Sequence, residues 1–297
     1  MQRRAIALII TLFFIMAITV SIGIGLKYIN STSNEVKEEK FLYQSSATLD
    51  DILMFLKESQ ELQDINSSIA LFTFLSQYSF TYIEGDDVKV IVELKSARSK
   101  INISALDTNS THEIDSLRRY FSTNILNYDA YVDMLVDNMG GIKEDFSYNS
   151  DIFYEKPYLF RDYIASYKHL QEINEYFELS YRDISLKSID FEELFYYVKS
   201  EGSKIDLNYA TPESWEIMLA CDKQRAQDLT NGAGSYTKEE DLILSPEEKI
   251  ELGKFTSSYF EPYLDVSVEM THNSQSAKIR FEYDIKNKKG YGFIYEI

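Results

Sequence analysis

The chain has 297 residues, of which 48 are Asp or Glu and 30 are Lys or Arg, for a net charge of −18. That length suffices for one large or two modest domains with a real core, while the acidity repels phosphate and argues against sequence-independent nucleic-acid binding. A single cysteine, Cys221, excludes an intrachain disulfide and a cysteine-based zinc cluster, and 11 Gly with 4 Pro exclude collagen-like and low-complexity classes.

The charge is unevenly divided. Residues 1–26 carry only Arg3 and Arg4, so the remaining 28 basic and 48 acidic residues give the body a net of −20. Ala5 to Leu26 holds no charged residue. As a helix it would span about 33 Å at about 1.5 Å per residue, close to the roughly 30 Å of a bilayer core. Arg3 and Arg4 before it predict a cytoplasmic N-terminus and an extracytoplasmic body. The apolar run is longer than that of an ordinary secretory signal, and Thr19-Val20-Ser21 is a poor cleavage site. Two readings stay open for this head. One is a permanent anchor. The other is a prepilin-type leader, short and basic, cut between Ala5 and Ile6 so that the apolar helix stays on the mature protein.

No proline precedes Pro157, and Phe41, Leu49, Ile52, Leu53 and Leu56 recur at helical spacing, so one helix is predicted from about 6 to 58. A short helix is expected around 65–76. Tyr78–Ile83 and Val88–Leu94 flank Glu84-Gly85-Asp86-Asp87 and predict a β-hairpin. Lys100–Ser104 reads as another short extended segment. From about 107 to 200 the pattern is helical, with stretches around Leu117–Phe121, Tyr131–Leu135, Phe160–Phe177 and Phe191–Val198.

Thr211 and Pro212 predict a helix N-cap followed by proline at the first helical position. Ser245-Pro246-Glu247-Glu248 predicts a capping box. Between them, Arg225–Leu229 suggests a helix ended by Asn231-Gly232. Leu264–Met270, Ala277–Tyr283 and Tyr291–Ile297 alternate as strands. The order predicts an α+β fold: a long N-terminal helix packed on an antiparallel sheet, with a large α-helical insertion between its strands.

Chemistry leaves few traces. G-x-S-x-G, H-E-x-x-H and a phosphate-cradling glycine loop are all missing from the sequence, so no enzymatic activity is expected. Residues 205–229 resemble half of a helix-hairpin-helix DNA binder. Its turn would be Ala220-Cys221-Asp222-Lys223, with no glycine to meet a phosphate and with a carboxylate in place, so no nucleic-acid partner is expected.

Four features in chain order resemble the K-type minor pseudopilins of the bacterial type II secretion system. The first is Arg3-Arg4-Ala5/Ile6, with Ala5 where the family's leader usually has Gly. The second is Ile10, five places into the mature chain. Most pilins carry glutamate there, whereas K-type members have an apolar residue; a tip subunit has no neighbour beyond it to supply the cation a buried glutamate needs. The third is Lys100-Ile101-Asn102-Ile103-Ser104, similar to the family's (K/R)-φ-N-φ-N (φ apolar), followed by Asp133 and Asp137 in a segment similar to its acidic D-W-x-D. The fourth is Lys204-Ile205-Asp206-Leu207-Asn208-Tyr209-Ala210, similar to φ-N-φ-N-T-A, with Ser257–Phe260 resembling an S-x-x-F segment.

The resemblance implies a leader (1–5), a transmembrane helix (6–26), a pilin-like helix with first strands (27–106), an inserted helical domain (107–203), a second small helical, SAM-like unit (204–256) and closing strands (257–297). It implies a subunit at the tip of the pseudopilus, anchored in the inner membrane with a periplasmic body. Its implied partners are the I- and J-type minor pseudopilins, the major pseudopilin, the prepilin peptidase and the inner-membrane assembly platform. Family members can bind calcium through acidic loops, and Asp133, Asp137, Glu144 and Asp145 around Gly140-Gly141 are the candidate ligands, since calcium takes 6–8 oxygens. Competing expectations are an anchored extracytoplasmic sensor or adhesion domain, a minor pilin of a type IV pilus and, more distantly, a membrane-tethered hydrolase.

Overall fold

A computed structural model describes residues 40–84, 88–144, 147–199, 204–272 and 275–296. The predicted leader and membrane segment, with Ala5, Ile6 and Ile10, lie outside the described residues. Among those described, no helix is long and apolar enough to cross a membrane.

The described chain opens in helix α1 (40–58). Phe41, Ser45, Leu49, Ile52 and Leu56 are its buried positions; steps of three and four lay them in one stripe. A single turn, α2 (Gln60–Gln63), follows. The predicted helix at 65–76 is α3 (Ser68–Tyr78), displaced because the Ser67 side chain caps it, accepting from the Ala70 N–H at 3.3 Å.

Strands β1 (Phe80–Glu84) and β2 (Val88–Ser96) form the predicted hairpin. The sheet resumes at β7 (Tyr263–His272), β8 (Gln275–Asp284) and β9 (Lys289–Glu296). Its order is β1-β2-β7-β8-β9, every pairing antiparallel. Val90, Val92 and Leu94 alternate onto one face with Leu264, Val266, Val268 and Met270 and with Ala277, Ile279, Phe281 and Tyr283. That face and the buried stripe of α1 make one core, which α3 closes with Leu71, Phe74 and Leu75. Each fully buried Leu, Ile or Phe contributes about 1.5–3 kcal/mol.

Because β2 pairs directly with β7, with Val92 opposite Val268, residues 97–262 form an insertion between adjacent strands, as expected. The insertion begins with β3 (Ile101–Asn102), α4 (Thr111–Ser122), α5 (Tyr128–Asp137), α6 (Ile152–Glu155) and α7 (Tyr167–Tyr181). The helix expected from Phe160 starts only at Tyr167, because Ser166 is extended and its hydroxyl accepts from the His169 N–H at 3.1 Å.

The helix expected over Phe191–Val198 also stops early. It is α8 (Phe191–Leu194), and the chain then extends as β4 (Phe195–Tyr196), parallel to β3. The run Phe195-Tyr196-Tyr197-Val198 is aromatic and β-branched, which favours extension.

β5 (Ile205–Asp206) follows, with α9 (Pro212–Leu219), α10 (Lys223–Asn231), α11 (Pro246–Leu252) and β6 (Ser257–Ser258), which pairs parallel with β5. Thr211, Asp222 and Ser245 cap these helices, and Ser245 and Glu248 form the predicted capping box. One continuous core runs through the insertion, from Ile101 to Phe255, with Trp215, Tyr131, Phe121 and Phe177 at its centre.

Candidate docking surface

Away from its buried stripe, α1 is mixed: Lys40, Ser46, Asp50, Asp51, Lys57 and Glu58 are exposed, and so are four large apolar residues. Tyr43 and Phe55 are each 70% exposed, with Leu42 and Met54 beside them in sequence. Ile69 and Phe72 on α3 and Phe80 on β1 are exposed as well. Isolated apolar side chains on a surface need no explanation, but large ones on one element mark a contact surface. Along α1 runs a groove of about 260 Å³ lined by Phe41, Gln44, Ser45, Ala47, Thr48, Asp51 and Met270. Gln44 Oε1 and Ser45 Oγ are buried there and find no hydrogen-bond partner among the described residues.

Buried polar residues join the insertion to the sheet beneath this surface and order the insertion itself. Arg98, just past β2, is 3% exposed and donates to the Glu282 carboxylate on β8 through both terminal guanidinium nitrogens, Nη2 at 2.7 Å and Nη1 closer still. Its guanidinium lies 4.1 Å from the Tyr263 ring centroid and 5.3 Å from that of Tyr196. The pair therefore ties the start of the insertion and β4 to the sheet.

The two N-x-N-like motifs are the polar hubs of the insertion. Asn102 Nδ2 donates to the Val198 carbonyl at 2.8 Å, and the Val198 N–H returns a bond to Asn102 Oδ1 at 3.4 Å, extending the β3–β4 pairing by a side chain. Ser104, where the family motif has a second Asn, donates its hydroxyl to the Ile164 carbonyl at 2.5 Å. Asn208 Nδ2 donates to the Tyr236 and Tyr259 carbonyls at 2.8 and 2.7 Å, while Oδ1 accepts from the Tyr236 N–H at 2.9 Å. One buried amide thus joins three segments.

Asp206 departs from the family motif and is fully buried. Its carboxylate accepts from the N–H groups of Asn208 at 3.0 Å and Glu261 at 2.9 Å. Burial pushes its pKa up to about 6, against the weaker downward pull of those two hydrogen bonds.

The candidate calcium residues have separate roles. Asp133 is partly exposed and pairs with Arg118 at 2.9 Å, which also holds Asp129 at 2.5 Å. Asp137, the last residue of α5, is 0% exposed. Its carboxylate accepts from the Asn149 N–H and side-chain amide and from the Ser150 N–H and hydroxyl, at 2.7–3.1 Å. It thereby fixes the loop that returns from Gly140-Gly141. Glu144 is exposed, and Asp145 lies outside the described residues. Among the described residues no group of three or more His, Cys, Asp or Glu is arranged to hold a metal.

Sequence reasoning missed the Arg98–Glu282 pair and the exposed side of α1. The former had a faint signal, a lone arginine directly after an apolar strand. The latter had a plainer one, four large apolar residues between the positions of the buried stripe.

No family model and no curated protein matches the sequence. Among solved structures, a chain of the crystal structure of the GspK-GspI-GspJ complex from the enterotoxigenic Escherichia coli type 2 secretion system is similar in fold. The TM-score is 0.57 at 10% sequence identity, and the likeness covers 90% of this chain and 99% of that chain. It therefore takes in the helical insertion as well as the sheet. The resemblance to K-type minor pseudopilins is thus borne out as a likeness of fold, mixed helix and antiparallel sheet.

Proposed function

We propose that the chain is a minor pseudopilin of K type, seated at the tip of a type II secretion pseudopilus. There it starts fibre assembly with I- and J-type minor pseudopilins and supports protein export without catalysing a reaction. The observation that carries this reading is the set of exposed large apolar residues on α1, Leu42, Tyr43, Met54 and Phe55, in a sequence that leads back into the 22-residue apolar stretch Ala5–Leu26. A helix buried on one side by its own sheet, with large apolar residues left exposed among its polar ones, has the character of a fibre subunit that offers its outer side to neighbours. The likeness to a chain solved in complex with minor pseudopilins supports the same partners.

In this reading Arg3 and Arg4 hold the leader in the cytoplasm, and the body of net charge −20 is periplasmic. The prepilin peptidase cuts between Ala5 and Ile6. Ile10 sits in the fibre core without a charge to neutralise, as suits a subunit with no neighbour above it. The test is Ala5→Glu in cells with a working secretion system. Leader cleavage and export are expected to fail together. Normal export by the uncleaved variant would contradict the role.

A further inference from the structure

The two edges of the five-stranded sheet are built differently. One edge is β1, five residues long, which ends in Glu84. The other is β9, eight residues long, whose outer hydrogen-bonding groups have no ladder partner among the described residues. From Gly290 to Tyr295 it carries no charge and no proline, and Tyr291, Phe293, Ile294 and Tyr295 are all exposed. Natural sheets guard such edges with lysine, proline, short strands or bulges. Here the guard is a single bulge at Gly292, where φ is +63° and the register shifts between Arg280 and Glu282. Beyond it, Ile294, Tyr295 and Glu296 resume regular pairing with Arg280, Ile279 and Lys278.

The ends of β9 differ in charge. Three of the four residues in Lys286-Asn287-Lys288-Lys289 are lysines, all exposed, in a chain with 18 more acidic than basic residues. None of the three forms an ion pair among the described residues. The far end carries Glu296.

We propose that β9 is a docking edge for an extended segment of a partner subunit, which adds a sixth strand antiparallel to it. That direction continues the pattern of the sheet. It brings the carboxyl-terminal end of the incoming segment to the lysine turn, so the segment has acidic residues or a terminal carboxylate there and alternating apolar side chains before it. Main-chain hydrogen bonds supply affinity, exposed Tyr291, Phe293, Ile294 and Tyr295 supply cross-strand contacts, and the lysines supply direction. The inference rests on the proposed role as a fibre subunit. A second copy of this chain is disfavoured by geometry. Antiparallel β9–β9 pairing about a two-fold axis normal to the sheet would reverse one α1 against the other, whereas subunits of one fibre, in the proposed role, carry their α1 helices in the same direction.

The test uses the full chain in cells with a working secretion system, with the photo-cross-linking residue p-benzoylphenylalanine at Tyr291, at Tyr295 or, on α1, at Tyr43. Cross-linked peptides are identified by mass spectrometry. The expected result is one partner segment of alternating apolar residues with acidic residues at its carboxyl-terminal side. Position 291 should capture that acidic side, and position 295 a site a few residues nearer its amino end. The triple reversal Lys286→Glu, Lys288→Glu, Lys289→Glu should lower the yield at 291 by about tenfold and leave the yield at Tyr43 unchanged. Capture at Tyr43 with none at 291 and 295 overturns the docking edge and leaves the subunit role standing. So does capture of β9 of a second copy or of a segment lacking acidic residues. Capture at none of the three positions counts against both.

Discussion

The sheet with α1 and the helical insertion achieve stability in different ways. The first is held by apolar periodicity, steps of three and four along α1 against period-two strands, with few buried polar groups. The second is held by a continuous aromatic core cross-linked by buried Asn102, Asp137, Asp206 and Asn208. Both regions expose large apolar residues, but in the first they gather on α1, α3 and β9, whereas in the insertion they are scattered over loops and helices from Leu126 to Ile250. A region that gets its shape from repeating apolar contacts can leave one side open to neighbours. A region made of short helices and loops needs polar hubs to specify where each segment ends.

The sharpest way to break this contrast is at the seam. Arg98→Met strands Glu282 as an unpaired buried charge and is expected to cost about 3–5 kcal/mol, read by chemical unfolding. Arg98→Met with Glu282→Leu should recover most of that loss. A neutral single variant would show that the seam is held by other contacts.

Within the insertion, Asn208→Ala orphans three buried backbone groups. The expected loss is about 3 kcal/mol at roughly 1 kcal/mol or more per group. Hydrogen exchange should locate it in residues 204–260, with β7 and β8 still protected. An equal loss of protection in those strands would mean that the two regions unfold as one.

Asp206 sharpens the comparison through pH. Its folded pKa of about 6 lies above the ordinary 3.8, so the folded state binds the proton more tightly than the unfolded chain. The stability it contributes is fully present below pH 3.8 and is lost as pH rises through 6. Relative to Asp206→Asn, the natural chain should therefore lose up to about 3 kcal/mol between pH 4 and 7, at about 1.4 kcal/mol for each tenfold difference in proton affinity between the folded and unfolded states. Parallel pH profiles for the two proteins would contradict the assignment.

The smallest effect on stability is expected on α1. Phe55→Ser touches an exposed side chain and should change folding by no more than about 0.5 kcal/mol, while reducing export. Unimpaired export would remove Phe55 from the contact surface.

Much of the fold is legible in the sequence because its signals are local. The caps at Thr211 and Ser245, the alternation of Leu264–Met270 and the spacing of Phe41, Leu49 and Leu56 each specify an element without reference to the rest of the chain. The features that escape a sequence reading depend on distant segments. Glu282 alternates onto the polar face of β8, which looks solvated until the insertion covers it. Phe195 leaves the helical pattern because a strand at Ile101 waits for it. Asp133 and Asp137 share helical spacing, which suggests a common ligand. Yet Asp137 ends its helix and turns to Asn149 and Ser150, whereas Asp133 stays at the surface with Arg118. The edge position of β9 follows from strand order, which no local pattern reveals.

The proposed role as a fibre subunit depends above all on processing by a prepilin peptidase. Intact-mass spectrometry of the chain from cells with that peptidase active tests it most directly. The expected product is a mature protein that begins at Ile6 and carries an N-methyl group. A chain that retains Met1 to Ala5 under those conditions would contradict that role.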